Sequence, residues 1–318
     1  MRPALSVVAF TVLAGAGIGV LVLVALLDLI AIVRTSAGTA DQSRIAALGW
    51  ILVVVGLLSS VLHLGRPTAA WRSLSRLATS WLSREGLASL LLVGTAFGWI
   101  VAMHFDAHAI VRALLSIATL VLAWVTLYCT AMIYASLKPI RQWHTQRVPL
   151  VYFVLSHLSG AIIVVGWLRA IGEPTFVLAI VTGALVIAAA WSKVDYYAYI
   201  ASDAHRLSIE DAIGVPQGVG APRGGTVMRA RLLDVGHSRG TFLTREFDYR
   251  LVPAQRVALR TLFWFAGLLV PALWLAFGLD DWHAAIIASL ACFAGLGAER
   301  WLFFAEARHT VRLYHGHR

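Results

Sequence analysis

Residues 5–33 read LSVVAFTVLAGAGIGVLVLVALLDLIAIV, a stretch in which Asp28 is the only charged residue. A helix needs about 20 apolar residues to cross a hydrocarbon core of about 30 Å, and this run exceeds that length. The small residues Ala14-Gly15-Ala16 resemble the end of a secretory leader. An apolar leader core, however, stops after about 7–15 residues, whereas this one continues to Val33. The stretch is therefore read as a retained first membrane helix.

Comparable runs recur along the whole sequence. Of the 318 residues, 59% are hydrophobic and 13% are charged, against about a quarter charged in an ordinary soluble domain. This excludes a soluble enzyme. The spans are placed at 5–33, 45–64, 86–105, 109–135, 149–170, 175–200, 258–278 and 283–305. The fold class expected is an all-α polytopic membrane protein, one domain over 1–318 with eight transmembrane helices. Trp71, Trp81, Trp143, Tyr196, Tyr197, Trp282 and Trp301 flank these runs, as interfacial aromatic belts do.

Eight crossings place both termini on one side, here called side A, with the loops 65–84, 136–148 and 201–257. Side B carries 34–44, 106–108, 171–174 and 279–282. Of the 26 Lys and Arg residues, Arg34, Arg44, Arg112 and Arg169 fall on or near side B, and the remaining 22 on or near side A. Basic loops stay inside, so side A and both termini are predicted to be cytoplasmic. The 201–257 loop is polar, rich in Gly and Pro, and basic (Arg223, Arg229, Arg231, Arg239, Arg245, Arg250, Arg256). Such a surface suits topology, anionic lipid or a protein partner. It lacks the stacking-plus-basic pattern of a nucleic-acid module.

Ionisable residues at membrane depth mark function by default, because they are costly there. They gather towards side A: His63 and Glu85 at the ends of spans two and three, Lys193 and Asp195 in span six, Glu299 and Arg300 in span eight. On side B, Asp28, Arg112 and Arg169 lie comparably near helix ends. Polar groups in an apolar wall suit a lipid-soluble quinone, whose reduction takes up two protons that His and Glu can relay. Each residue also has a plainer reading. His63 can cap or snorkel, Glu85 can be a first-turn acid favoured by the helix dipole, and Lys193 with Asp195 can be a structural pair. Haem needs paired axial ligands; His157 alone sits deep in a span, so no haem is expected. Cys129 and Cys292 lie within apolar runs and form no C-x-x-C, so no metal site is expected either.

Several motifs resemble one family. They are His63-Leu64-Gly65-Arg66-Pro67, Ala70-Trp71-Arg72, Ser80-Trp81-Leu82-Ser83-Arg84-Glu85 and Met132-Ile133-Tyr134-Ala135-Ser136-Leu137-Lys138, followed by Arg141-Gln142-Trp143-His144. Leu243-Thr244-Arg245-Glu246-Phe247 and Glu299-Arg300-Trp301-Leu302-Phe303-Phe304-Ala305-Glu306 add to them. The protein resembles the DmsC-like membrane-anchor subunits of dimethyl sulfoxide reductase over nearly its whole length. The resemblance implies an anchor in a prokaryotic inner membrane that binds menaquinone or ubiquinone. It implies a four-cluster iron–sulfur partner and a catalytic subunit with bis-molybdopterin guanine dinucleotide, those cofactors residing in the partners. It places the quinone site at His63 and Glu85; Arg66 and Arg84, in the loop that joins them, are lesser candidates. It makes the 65–84 and 201–257 loops the docking face, through Arg72, Arg76, Arg229 and Arg231. An inward-facing docking side resembles the anchors of cytoplasmic sulfite-oxidising complexes, with electrons running from a sulfur compound to quinone. The alternatives are a quinol-oxidising anchor of a sulfoxide or similar terminal reductase, a purely structural anchor and a transporter. A transporter would favour broken helices in inverted repeats and polar sites at mid-membrane.

Overall fold

The computed structural model describes residues 3–34, 39–62, 67–202, 249, 251–279 and 281–314. Among them, eight helices are long and apolar enough to cross a membrane. They are α1 (Leu5–Arg34), α2 (Thr39–Val61), α3 (Trp81–His104), α4 (Ala109–Ala135), α5 (Arg147–Ala170), α6 (Phe176–Ala201), α7 (Pro253–Phe277) and α8 (Trp282–Ala305). A 3₁₀ helix, Pro67–Arg76, leads into α3, and a short turn of helix, α9 (Val311–Tyr314), follows α8. Among the described residues there are no strands, only an isolated bridge between Ile140 and His309.

Helix α1 is apolar on every side, so no face of it requires water, and it takes the centre of the molecule. It packs against α2, α4, α5 and α8, and its Val20, Leu21, Val24 and Ala25 are fully buried. Helix α5 is the second central element, bounded by α1, α4, α6 and α8. The two backbones meet at Gly19 and Gly160, where a Cβ on Gly160 would lie 2.3 Å from the Gly19 carbonyl carbon. Membrane helices associate through such close packing of small residues, since lipid is as apolar as their side chains. Leu58, Leu90, Leu114, Ile187 and Leu290 point outwards on the peripheral helices, where hydrocarbon replaces water.

Helix α7 changes register within the membrane. Pro271 has no N–H for the carbonyl of Gly267 four residues back, and its ring crowds that carbonyl. Residues Phe263–Leu269 are correspondingly wound as a π segment between α-helical ends. Gly267 sits there against Gly295 of α8, too close for a side chain on Gly295.

Three helix starts lie five or six residues earlier than hydropathy places them, residue 39 for α2, residue 81 for α3 and residue 253 for α7. At α2, exposed Arg44 pairs with Asp41 one turn before it, so charges that read as loop belong to the helix. At α3, Ser80 caps the first turn by accepting from Ser83 N at 3.3 Å. Arg84 folds back to donate to the carbonyls of Leu77 and Ala78, at 2.8 and 2.7 Å. Its guanidinium also covers the Trp81 ring at 4.3 Å. A long basic side chain that snorkels in this way lets the helix begin below it.

Candidate functional site

The early start of α3 carries Glu85 into the bundle as the fifth residue of the helix. Its side chain is buried against α4, where the Thr130 hydroxyl donates to Oε1 at 2.7 Å. Oε2 has no hydrogen bond among the described residues. The carboxyl is thus oriented by one neighbour and keeps one oxygen for another, which suits acid–base exchange with a ligand oxygen.

Of the other residues expected beside it, Arg84 is directed away, onto the carbonyls that close the loop before α3. His63 and Arg66 lie outside the described residues, so Glu85 is the one member of the expected site seen turned into the bundle. Arg72 and Arg76 are exposed on the 3₁₀ helix, Arg72 lying over Trp71. Arg229 and Arg231 lie outside the described residues. Arg256, in the first turn of α7, and Arg260 both reach Glu306, at 3.2 and 2.8 Å, and tie α7 to the end of α8.

The pairing of Lys193 with Asp195 is corrected. Residues two apart on a helix point about 200° apart, at about 100° per residue, and each finds a different partner. Asp195 receives two hydrogen bonds from Arg147 of α5, at 2.6 and 3.1 Å. Lys193 turns inwards and donates to Glu299 of α8 at 2.6 Å. Arg300 Nε takes the second oxygen of Glu299. All three side chains are within 5% of complete burial. Tyr152 lies under the Arg300 guanidinium at 4.1 Å, and Tyr196 and Tyr197 lie under the Lys193 ammonium at 4.4 and 4.5 Å. An aromatic cluster of Tyr134, Trp143, Tyr152, Phe303 and Phe304 closes over these groups. The α4–α5 loop seals it: Trp143 Nε1 donates to the Phe303 carbonyl at 3.0 Å and Tyr196 to the Gln142 carbonyl at 3.2 Å.

Hydropathy gave no hint that Asp28, on the side-B half, is wholly buried. Its carboxylate accepts from Trp99 Nε1 at 2.9 Å and pairs with Arg112, joining α1, α3 and α4. A full set of partners marks it as a structural clasp. His157 is likewise occupied: Trp124 Nε1 donates to Nε2 at 3.1 Å, and Nδ1 lies 2.7 Å from the Phe153 carbonyl.

The family model of the DMSO reductase anchor subunit (DmsC) matches residues 1–305. The C subunit of the sulfite dehydrogenase of Allochromatium vinosum is 31% identical, the match covering 99% of both sequences. The C component of the anaerobic dimethyl sulfoxide reductase of Escherichia coli is 29% identical over 43% of this protein and 51% of that one. The anaerobic dimethyl sulfoxide reductase component YnfH of the same organism is 30% identical over 41% and 47%.

Proposed function

The protein belongs to the DMSO reductase anchor subunit family, and from that premise we propose that it is the quinone-binding anchor of a three-subunit molybdenum oxidoreductase. Its partners would be an iron–sulfur electron carrier and a catalytic molybdopterin subunit. In this reading side A faces the cytoplasm, and the 65–84 and 201–257 loops dock the iron–sulfur subunit through Arg72, Arg76, Arg229 and Arg231. Electrons run from sulfite to menaquinone or ubiquinone. End-to-end likeness to a sulfite dehydrogenase subunit supports the sulfur donor.

One observation carries the quinone reading. Glu85 is a buried carboxyl, held by Thr130 on one oxygen only, at the side-A end of α3. An isoprenoid tail finds apolar helix faces beside it, and the carboxyl can give a proton to a quinone oxygen or take one back. His63, which ends the neighbouring span in sequence, supplies a second proton-exchanging group in this reading. Arg66 lies three residues further on in the same loop.

The test is Glu85→Gln and His63→Ala in the intact complex. Each is expected to remove quinone-linked turnover while turnover with a soluble artificial electron acceptor persists. A double variant retaining quinone-linked turnover within about twofold, only ~0.4 kcal/mol in the barrier, removes the assignment.

The local likeness to two dimethyl sulfoxide reductase components favours a second reading, quinol oxidation feeding a terminal reductase. Assaying the complex with sulfite plus quinone and with quinol plus sulfoxide separates the two.

A further inference from the structure

Two neighbouring cavities lie between α1, α2, α4, α5 and α8. The first, about 20 Å³, is bounded by Thr11, Tyr152, Ser156 and Arg300 among others. The second, about 10 Å³, is bounded by Thr11, Thr126, Thr130 and Tyr152 among others. Both are lined by Thr11, Gly15 and Tyr152, so they lie side by side. A side chain on Gly15 would stand 2.8 Å from Ser156 Oγ, and its absence leaves that space open.

The polar atoms here are unusual. Arg300 Nη1 and Nη2, the Tyr152 hydroxyl and the Thr126 hydroxyl are all buried and make no hydrogen bond of ordinary geometry among the described residues, although Tyr152 and Arg300 stand within reach of each other. Leaving a buried polar group unmet is costly, and more so for a charged one. Four such atoms around adjoining cavities are satisfied together if water fills them. A buried water needs about 10–15 Å³ of such space and two to four polar partners, and both requirements are met. The row of polar groups also has defined ends. Thr130, on the wall of the second cavity, holds Glu85. Arg300, on the wall of the first, holds Glu299, which holds Lys193.

We propose that these cavities hold a short file of water that carries protons to and from Glu85, its far end held in place by Arg300. This rests on the quinone role of Glu85 set out above. In quinone reduction two electrons come from the iron–sulfur partner and two protons must reach the quinone oxygens. When Glu85 has given its proton to a quinone oxygen, the Thr130 hydroxyl passes its own proton to the carboxylate. Thr130 is then restored by the adjacent water, and that water by the next, past Tyr152. The last water, held beside Arg300, is restored in turn from the aqueous phase through the first cavity, and Arg300 keeps its own protons throughout. Quinol oxidation runs the same relay in reverse. A water has two acceptor positions; one is taken by an Arg300 N–H and the other remains for the incoming proton. The guanidinium repels a hydronium resting beside it, so the protons move as a relay of hydroxyl and water hydrogens, with no excess charge standing in the cavity. Thr126, Thr130 and Tyr152 are positioning residues in this scheme.

The experiment uses the intact complex of all three subunits in lipid nanodiscs, with Thr126→Val plus Tyr152→Phe, which keeps the side-chain volumes and the Arg300–ring contact. Quinone-linked turnover is expected to fall at least tenfold and its solvent deuterium isotope effect to rise. Turnover with a soluble artificial acceptor and the thermal midpoint should stay unchanged. Gly15→Ala, which narrows the space beside Ser156 without removing a polar group, should shift turnover and isotope effect in the same direction. Difference infrared spectra of the wild type on quinone reduction should carry a band sensitive to ¹⁸O-water, lost in the double variant. Wild-type turnover and isotope effect in both variants, or no water band in the wild type, overturns the proposal. Glu85→Gln is assayed alongside. If it is inactive while the cavity variants are normal, the water file alone fails; if it too is active, the quinone role of Glu85 fails first.

Discussion

The Lys193 ammonium and the Glu299 carboxylate meet at 2.6 Å between α6 and α8, both groups shut off from the surroundings. The pair is not balanced, because Arg300 shares the same carboxylate. Removing either cation leaves Glu299 with the other, whereas removing the anion leaves two buried cations facing each other.

Glu299→Gln should therefore be the more damaging change. Breaking a buried pair by deleting one partner typically costs about 3–5 kcal/mol, and that loss is expected for Glu299→Gln. Lys193→Met should lose clearly less, since Arg300 remains and the ring faces of Tyr196 and Tyr197 accept an apolar side chain. Thermal midpoints of the purified complex decide this; equal losses would mean that Arg300 does not compensate.

Asp28 makes the same argument on the opposite side. Asp28→Asn leaves Arg112 buried beside a neutral amide, and a loss of about 3–5 kcal/mol is expected. Asp28→Leu combined with Arg112→Leu should recover part of it, because an apolar replacement removes both desolvation penalties together while Trp99 Nε1 loses its acceptor. If the double variant is no more stable than Asp28→Asn, the clasp contributes something beyond its charge balance.

The eight spans were legible because crossing a bilayer is a matter of length and hydropathy, and both are local. What was not legible is tertiary. Arg84-Glu85 reads as the end of a polar loop, yet the arginine turns back to the surface while the carboxylate goes inwards. No local signal separates those directions. Lys193 and Asp195 look like partners by proximity, but their opposite directions on α6 hand one to Glu299 and the other to Arg147. The register change in α7 carried one faint sign, Pro271 in an apolar run. Glu85 was singled out from its place at the side-A end of a span, but its hydroxyl partner, Thr130, lies 45 residues away on α4.

The orientation rests on the distribution of basic residues, which retains cytoplasmic loops. A reporter active only outside the cytoplasm is expected to be silent when fused at Ser208 and active when fused at Asp280. The reverse pattern would place the docking side outwards and, with it, remove the argument for an inward-facing sulfite-oxidising complex.

Thr130 offers the most specific probe of the candidate site, because its hydroxyl touches the carboxylate that the proposed chemistry uses. Thr130→Val preserves shape and β-branching in α4 but deletes the donor to Glu85 Oε1. A hydrogen bond to a charged group contributes about 1.5–3 kcal/mol. Lost from a group that acts in the rate-limiting proton transfer, the lower part of that range corresponds to a fall of about tenfold in quinone-linked turnover. Ser89→Ala provides the control, since its hydroxyl serves only the backbone carbonyl of Glu85 at 2.7 Å; its turnover should match wild type. Activity with a soluble artificial acceptor should be the same in all three proteins, because that route bypasses the membrane site. Should Thr130→Val and Ser89→Ala behave alike in the quinone assay, the contact between Thr130 and Glu85 is a packing feature of α3 and α4 and the quinone is handled elsewhere in the bundle.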